Sequence, residues 1–253
     1  MKAMLYALEN GRKWRQLPKS FGDWNALYKR VNRWAKSGLL ANIFEYLYQE
    51  EITSLNMDRL CLDSTIVKVP PKRLLSMFAS RTRPVAARLL SGTWSFKKSG
   101  SQSIGRSRCG NTTKIHLLCV DAKTPVALLL TEGHRHDAPQ GRKLLKDSGS
   151  APELLYKYGK SPEQSITLIA DKSYEGDKTR KLAKVLGYDL CIPPKSNRKE
   201  PWEYDTELYK SHNEVEGNFR RVKEYRRVFT RYYKFDVMYM GFVMFGYIIE
   251  ALR

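Results

Sequence analysis

The chain of 253 residues carries 45 Lys and Arg against 26 Asp and Glu, which gives a formal net charge of +19. Its apolar fraction of 42% is ordinary for a globular protein and excludes a largely disordered chain. So large a positive charge favours a polyanionic partner, with nucleic acid first and an anionic membrane surface second. No apolar run reaches the length of a membrane span, and the four cysteines form no CxxC pair. We therefore expect a reduced cytosolic protein with no membrane partner and no zinc site.

Residues 1–50 are predicted to form three short helices. Apolar residues recur at helical spacing between residues 24 and 34, and Gly38 is a typical stop signal after them. The other faces of this middle helix are basic and include Arg30 and Arg33. The pattern is compatible with a helix-turn-helix module that binds DNA. It is equally compatible with a helical cap that packs on the next domain.

The first predicted strand, Leu60–Val67, carries a single carboxylate, Asp63, in its middle. An aspartate is unfavourable in a β-branched run and costly when buried, so Asp63 either has a function or faces water on an edge strand. The stretch from Asp63 to Asp121 contains eleven Lys and Arg and no acidic residue between these two. An all-basic stretch repels itself unless phosphates neutralise it, which favours contact with the DNA backbone.

The chain from residue 114 to the end alternates strands and helices. Strands are predicted at 114–120, 126–130, 166–170 and 189–192, and helices at 137–145, 175–186, 208–227 and 237–249. Asp171 follows the strand 166–170, and ligands in open α/β sheets gather at such carboxyl ends. His134 and His136 form an H-x-H pair on a loop, which is weak support for a metal site. Asp137, which follows them, is predicted to cap the next helix.

The predicted helix Leu208–Arg227 has a polar edge beside its apolar stripe. At about 100° per residue, four side chains fall within an arc of roughly 60°. They are Tyr209, His212, Glu216 and Lys223, whereas Glu214 points to the opposite side. A solvated amphipathic helix is the simpler interpretation. The other is that Glu216 meets partners from elsewhere in the chain.

Those partners are Asp63 and Asp171, if the strands that carry them are neighbours in the sheet. Three converging carboxylates repel one another unless cations neutralise them. Two Mg²⁺ ions roughly 4 Å apart would do so and would stabilise both the attacking and the leaving oxygen of a phosphoryl transfer. A DNA phosphodiester is the natural substrate for a chain of charge +19.

These residues lie in segments that resemble bacterial insertion-sequence transposases of the DDE type, in the group named after insertion sequence five. The matching segments include LDSTIVKV, IGRSRCGNTTKIHLLCVDA, GHRHDAPQGRKLL, IADKSYEGDKTRKLA and LYKSHNEVEGNFRRVKEYRRVFTRY. The last fits the family signature Y-(2)-R-(3)-E-(6)-K with Tyr209, Glu216 and Lys223. The resemblance covers nearly the whole chain apart from residues 70–95.

The resemblance implies an α/β fold, with a ribonuclease-H-like mixed sheet and flanking helices, preceded by a small helix-turn-helix-like module. The implied domains are 1–50 for DNA binding and 57–253 for catalysis, with a basic insertion at about 70–100. Similar proteins usually carry more sequence before the first helix, which implies an N-terminally truncated DNA-binding domain. The implied triad is Asp63, Asp171 and Glu216, which would hold Mg²⁺, with Mn²⁺ as a substitute.

The implied activity is nicking at terminal inverted repeats, followed by attack of a 3′-hydroxyl on target DNA. The expected partners are double-stranded DNA, from the element ends and the target, and a second copy of the chain, in the cytoplasm near the bacterial nucleoid. The residues expected to contact DNA are Lys223, His212, Tyr209, Arg220, Arg106, Arg108, Lys195, Arg198, Arg30 and Arg33.

The chain departs from the family pattern at His212, which stands where the signature has Arg, and over residues 70–95. A neutral imidazole lacks the fixed charge and bidentate fork of a guanidinium. Two alternatives therefore stand beside the transposase: a catalytically impaired DNA-binding remnant, and a ribonuclease-H-like nuclease that does not join strands.

Overall fold

The computed structural model describes residues 1–49, 56–70, 85–88, 102–161 and 163–253. The predicted basic insertion at about 70–100 lies outside the described residues, apart from a short strand at Val85–Arg88. Each remaining predicted helix and strand can therefore be compared directly with the structure.

Seven strands and ten helices are present in the described ranges. The strands are β1 (Arg59–Lys68), β2 (Val85–Arg88), β3 (Gly105–Ser107), β4 (Gly110–Cys119), β5 (Pro125–Glu132), β6 (Ile166–Ala170) and β7 (Tyr188–Cys191). The helices are α1 (Lys2–Asn10), α2 (Trp24–Ser37), α3 (Leu39–Gln49), α4 (Asp137–Ser148), α5 (Ala151–Lys157), α6 (Asp177–Val185), α7 (Thr206–Tyr209), α8 (Asn213–Glu224), α9 (Arg226–Phe229) and α10 (Asp236–Ala251). Apart from the helix predicted at 208–227, the predicted elements are confirmed to within a few residues, whereas β2, β3 and α5 were not predicted.

The strands form one mixed sheet in the order β2-β5-β4-β1-β6-β7, with β3 paired to β4. The first part of the sheet is antiparallel, because β4 runs against both β1 and β5. The second part is parallel, because β6 runs with both β1 and β7. The strands of Asp63 and Asp171 are therefore neighbours, as the convergence of the carboxylates requires. The predicted ribonuclease-H-like mixed sheet with flanking helices is confirmed.

Two of the three N-terminal helices, α2 and α3, pack against the closing helix, α10, and α1 packs against α9. Asp23 caps α2 by accepting hydrogen bonds from the backbone N–H groups of Asn25 and Ala26, and the chain leaves α2 through Gly38 at φ 77°. Nearly all residues of α10 are buried, which is why its sequence is apolar on every side. A Cβ at Gly241 of α10 would lie 2.8 Å from the Ala35 side chain, so the missing side chain lets α2 approach closely. None of the described helices combines the length and apolarity needed to span a membrane.

The predicted helix Leu208–Arg227 is wrong as a single helix. The chain instead forms α7, a 3-10 turn at Lys210–His212, then α8 and α9, with an extended residue, Tyr225, between the last two (φ −74°, ψ 116°). The buried Tyr225 hydroxyl donates a hydrogen bond to Glu250 of α10 at 2.6 Å. Anchoring this ring on α10 turns the chain at Tyr225, a tertiary contact that helical periodicity does not contain.

Candidate active site

Successive side chains of β1 point to opposite faces of the sheet, as in any strand, and a different helix covers each face. On one side Cys61 Sγ lies 3.3 Å from the Ser211 carbonyl oxygen, and Thr65 accepts a hydrogen bond from Lys223 of α8. On the other side the Ser64 hydroxyl donates to Asp137 of α4 at 2.7 Å. Asp63 stands between Cys61 and Thr65 in this alternation, and it therefore belongs to the side of β1 that faces α8.

The register of two parallel strands brings Asp63 and Asp171 together. In that register Leu62 of β1 pairs with Ala170 of β6, and the two aspartates are the next residues of their strands. Asp171 is fixed by its neighbour Ser173, whose backbone N–H and hydroxyl donate to Asp171 Oδ1 at 2.9 and 2.6 Å. Both aspartates are half-buried at the same edge of the sheet.

Glu216 reaches the same edge from α8. Contacts to β1 on either side of it, at Ser211 and at Lys223, hold this helical segment across the strand that carries Asp63. Glu214 faces the β4–β5 turn instead, where its Oε2 accepts the backbone N–H of Ala122 at 3.0 Å. The two glutamates therefore point in different directions, as the helical arc predicts, and Glu216 remains exposed beside the aspartates.

The electrostatics of Asp63 reflect this crowding of negative charge. Burial raises the pKa of Asp63 to about 7, and the carboxylates of Asp171, Asp137 and Glu216 add to the rise, against a hydrogen bond from the Ser64 backbone. Within the described parts of the chain, no three His, Cys, Asp or Glu side chains form a ready set of metal ligands. The three acids therefore lie near a common edge of the sheet and repel one another. Their side chains do not form a complete set of metal ligands.

The remaining residues of the predicted polar arc have partners within the protein. Lys223 Nζ donates to Thr65 Oγ1 at 2.5 Å and to the Ile66 carbonyl at 3.1 Å. The His212 ring is 8% exposed and stacks on Tyr209 with ring centroids 5.6 Å apart. Burial lowers the pKa of His212, so at neutral pH this ring is an uncharged imidazole where the family signature has a charged Arg.

The other predicted DNA-contact residues occupy several surfaces. Exposed side chains belong to Arg30, Arg33, Arg106, Arg108, Lys195 and Arg220. Arg198 is less available, because it forms ion pairs with Asp177 and Glu175 and lies 4.6 Å from the centroid of the Trp202 ring. The structure therefore does not gather these residues into one site, and their contact with DNA stays a prediction.

The predicted cap at Asp137 is wrong. Asp137 is the first residue of α4, His136 occupies the cap position, and no side-chain cap hydrogen bond forms there. Its carboxylate accepts hydrogen bonds from Ser64 and Lys114 instead. Sequence reasoning missed this cluster because its members lie on three separate elements. The available signal was Lys114, a charged residue at the start of the mostly apolar strand predicted at 114–120.

The fold and this edge define a DDE transposase. The family model "Transposase DDE domain" matches residues 55–244, and the chain belongs to this family. A second model, "Putative transposase of IS4/5 family", matches residues 1–44. The resemblance to insertion-sequence transposases is thereby confirmed.

Individual relatives agree with the family. A protein of Brucella ovis named "Putative transposase for insertion sequence element IS6501" is 29% identical over 133 residues, which is 52% of this chain and 92% of that protein. Two solved structures are more distant: "Mos1 transposase paired-end complex with left transposon end" (13% identity, 75% of this chain, 56% of that chain, TM-score 0.30) and "Crystal structure of the Mos1 mariner paired end complex with Mn" (10% identity, 100% and 78%, TM-score 0.32).

Proposed function

We infer that this chain binds the terminal inverted repeats of a mobile element, nicks the DNA there and transfers the freed 3′-hydroxyl end into target DNA. The observation that carries the inference is the register of β1 with β6, which gives Asp63 and Asp171 a common edge that Glu216 of α8 approaches. Three acids from three separate elements at one edge have no structural need to meet. Their mutual repulsion opposes folding, and a function explains their presence.

The donor set at this edge suits a divalent cation such as Mg²⁺, with Mn²⁺ as a substitute. Asp63, Asp171 and Glu216 offer oxygen ligands only, which hard cations prefer. Two such ions, when bound, supply a water or 3′-hydroxyl of raised nucleophilicity and stabilise the leaving oxygen of the phosphodiester. Burial is the main cause of the raised pKa of Asp63, and the neighbouring carboxylates add a repulsion that a bound cation would relieve.

The residues around the triad would orient the DNA. Lys223 would exchange its contacts with Thr65 and Ile66 for a phosphate, because these contacts already hold it against β1, the strand that carries Asp63. The uncharged His212, stacked on Tyr209, would contribute less to phosphate binding than an Arg. The positive surfaces of α2 and β3 would bind further backbone. A dimer on DNA is proposed because two element ends must be brought together.

The test uses a labelled duplex that contains the terminal inverted repeat flanking the coding sequence, with Mg²⁺ and a target plasmid. We expect nicked and joined products that vanish in Asp63→Asn, Asp171→Asn and Glu216→Gln. The matched control is Glu214→Gln, on the same helix, whose amide oxygen still accepts the Ala122 N–H. Binding without cleavage by the unmodified protein would instead indicate a DNA-binding remnant, and cleavage without joining would indicate a nuclease.

A further inference from the structure

A fourth carboxylate lies on the face of β1 that is turned away from α8. Asp137 Oδ1 accepts hydrogen bonds from the Ser64 hydroxyl and from Lys114 Nζ, each at 2.7 Å. Lys114 Nζ also donates to the Arg135 carbonyl at 2.9 Å. One carboxylate and one ammonium thereby join β1, β4 and the start of α4 into a single cluster.

The strand register explains why these groups meet. Ser64 pairs with His116 across the antiparallel ladder, and Ile66 pairs with Lys114, so all four side chains share one face of the sheet. His116 is fully buried beneath the cluster, with Nε2 2.8 Å from Thr131 Oγ1. The position of Ser64 is therefore specified by the two strands and by Asp137 together.

This cluster is more deeply buried than an ordinary surface ion pair. The side chains of Lys114 and Asp137 are only 11% and 27% exposed, and their charges meet at hydrogen-bonding distance. A pair shielded to this degree holds its geometry, because separating its members would leave a charge without water or partner. A surface pair with solvated side chains would give no such constraint.

The aromatic ring of Tyr174 packs tightly against the same face of β1. The fully buried Tyr174 lies between α4 and β1, and a Cβ at Gly141 would come within 2.5 Å of its Cε1 atom and 3.1 Å of Leu62. Glycine at this position lets the ring fill the space beside Leu62. The residues on both sides of Asp63, Leu62 and Ser64, are therefore held against α4 by packing and by a hydrogen bond.

We propose that Asp137 is a positioning residue of the transposase, which holds Ser64 and thereby fixes the β1 backbone that presents Asp63 to DNA. Lys114 sets the orientation of the Asp137 carboxylate and balances its charge. The inference rests on the proposed function, since it assigns Asp137 a part in the reaction of the same site. Asp137 does not need to touch the DNA for this role.

The test compares Asp137→Ala, Asp137→Asn and Ser64→Ala in the full-length protein. Three quantities are measured for each: the single-turnover nicking rate at saturating DNA, the Kd for the duplex, and the rise in Tm that Mn²⁺ produces without DNA. Glu132→Gln is the matched control, because its carboxylate lies near the same loop but is paired with the half-exposed Arg135 at 3.0 Å. All rates are taken at a temperature where each variant is folded.

We expect Asp137→Ala to nick about 10- to 100-fold more slowly, the range typical for residues that orient a metal-binding side chain. Ser64→Ala should also slow nicking, and both variants should show a smaller Mn²⁺-induced rise in Tm with an unchanged Kd for DNA. Asp137→Asn keeps an acceptor oxygen for both donors, so its rate should stay within about fivefold of the unmodified protein. Glu132→Gln should behave as the unmodified protein does.

The inference would be overturned by wild-type nicking by folded Asp137→Ala or Ser64→Ala, or by a loss confined to DNA affinity. A variant that merely has a lower Tm, with an unchanged rate and Mn²⁺ response, would show a structural role only and would likewise overturn it. Failure of the unmodified protein to nick would refute the proposed function itself, which keeps the two failures distinct.

Discussion

The acidic side chains on the two faces of β1 have opposite electrostatic surroundings. On the α4 face, Asp137 has a cation and a hydroxyl at hydrogen-bonding distance. On the α8 face, Asp63 meets the carboxylates of Asp171 and Glu216, and its pKa rises to about 7 chiefly through burial. An acid with fixed partners supports the fold, whereas an acid that faces other acids weakens it. The second arrangement is the one that marks a site of chemistry.

This contrast makes opposite predictions for stability. Removing a paired acid or its partner should lower the free energy of unfolding, because the remaining group loses its compensation. Removing a crowded acid should leave that free energy unchanged or raise it in metal-free protein, because repulsion is relieved. The following substitutions test the contrast in order of expected effect.

The largest effect is expected at the ion pair of Arg231 and Asp236. Both side chains are fully buried, with Arg231 Nη2 2.6 Å from Asp236 Oδ1, and Ser103 donates to both Asp236 oxygens at 2.8 Å. Arg231→Met should lower the free energy of unfolding by about 3–5 kcal/mol, because it leaves a buried carboxylate without its cation. Urea denaturation followed by circular dichroism measures this change.

Its control is the double variant Arg231→Met/Asp236→Leu, which removes the charge as well as its partner. Replacing both members of a buried pair by apolar residues is far less harmful than removing one. A double variant no more stable than Arg231→Met would contradict the account of paired charge.

The next effect separates the two neighbouring glutamates of α8. Glu214→Ala should lower the free energy of unfolding by about 1–3 kcal/mol, because the backbone N–H of Ala122 loses its acceptor. Glu216→Gln should leave it unchanged in metal-free protein but abolish nicking. Thermal unfolding and the duplex assay, run on both variants, check the contrast. Equal stability losses at the two positions would argue against it.

A smaller effect is expected from Asp63→Asn, and it should depend on pH. In the unfolded chain the Asp63 carboxyl has its ordinary pKa, whereas in the folded protein its pKa is raised to about 7. The folded protein therefore loses stability as the pH rises from the ordinary carboxyl pKa towards 7. Asp63→Asn removes this loss. With allowance for solvent screening of a half-buried group, about 1 kcal/mol or about 2–4 °C in Tm is expected at pH 8. Scanning calorimetry without metal at pH 5 and pH 8 should find the larger gain at pH 8; a gain that is independent of pH would be inconsistent with like-charge crowding.

The smallest effect is expected at an exposed pair. Lys210 Nζ and Glu207 Oε2 lie 2.8 Å apart, but both side chains are largely exposed. Glu207→Gln should change the free energy of unfolding by less than about 1 kcal/mol, because water solvates both charges when they separate. The same urea denaturation measures it, and a loss as large as that of Glu214→Ala would mean that distance alone, without burial, decides the value of a pair.

Local signals in the sequence predicted most of the elements correctly. Gly38 is a stop signal at the end of α2, and short apolar and β-branched runs predicted β1, β4, β5, β6 and β7. What failed had non-local causes. The break at Tyr225 depends on its contact with Glu250 in α10. Asp137 does not cap α4 as predicted, because its carboxylate binds Ser64 of β1 and Lys114 of β4 instead.

The sequence by itself determined which acids could act: Asp63 in a strand, Asp171 after a strand, and Glu216 rather than Glu214 on a helical arc. Residue type and periodicity are local properties, so a single chain displays them. Only the tertiary structure decided that β1 lies beside β6, that Lys223 is held by Thr65, and that Asp137 supports the opposite face of the same strand. Those contacts join residues many positions apart, and they depend on how the whole sheet pairs and packs.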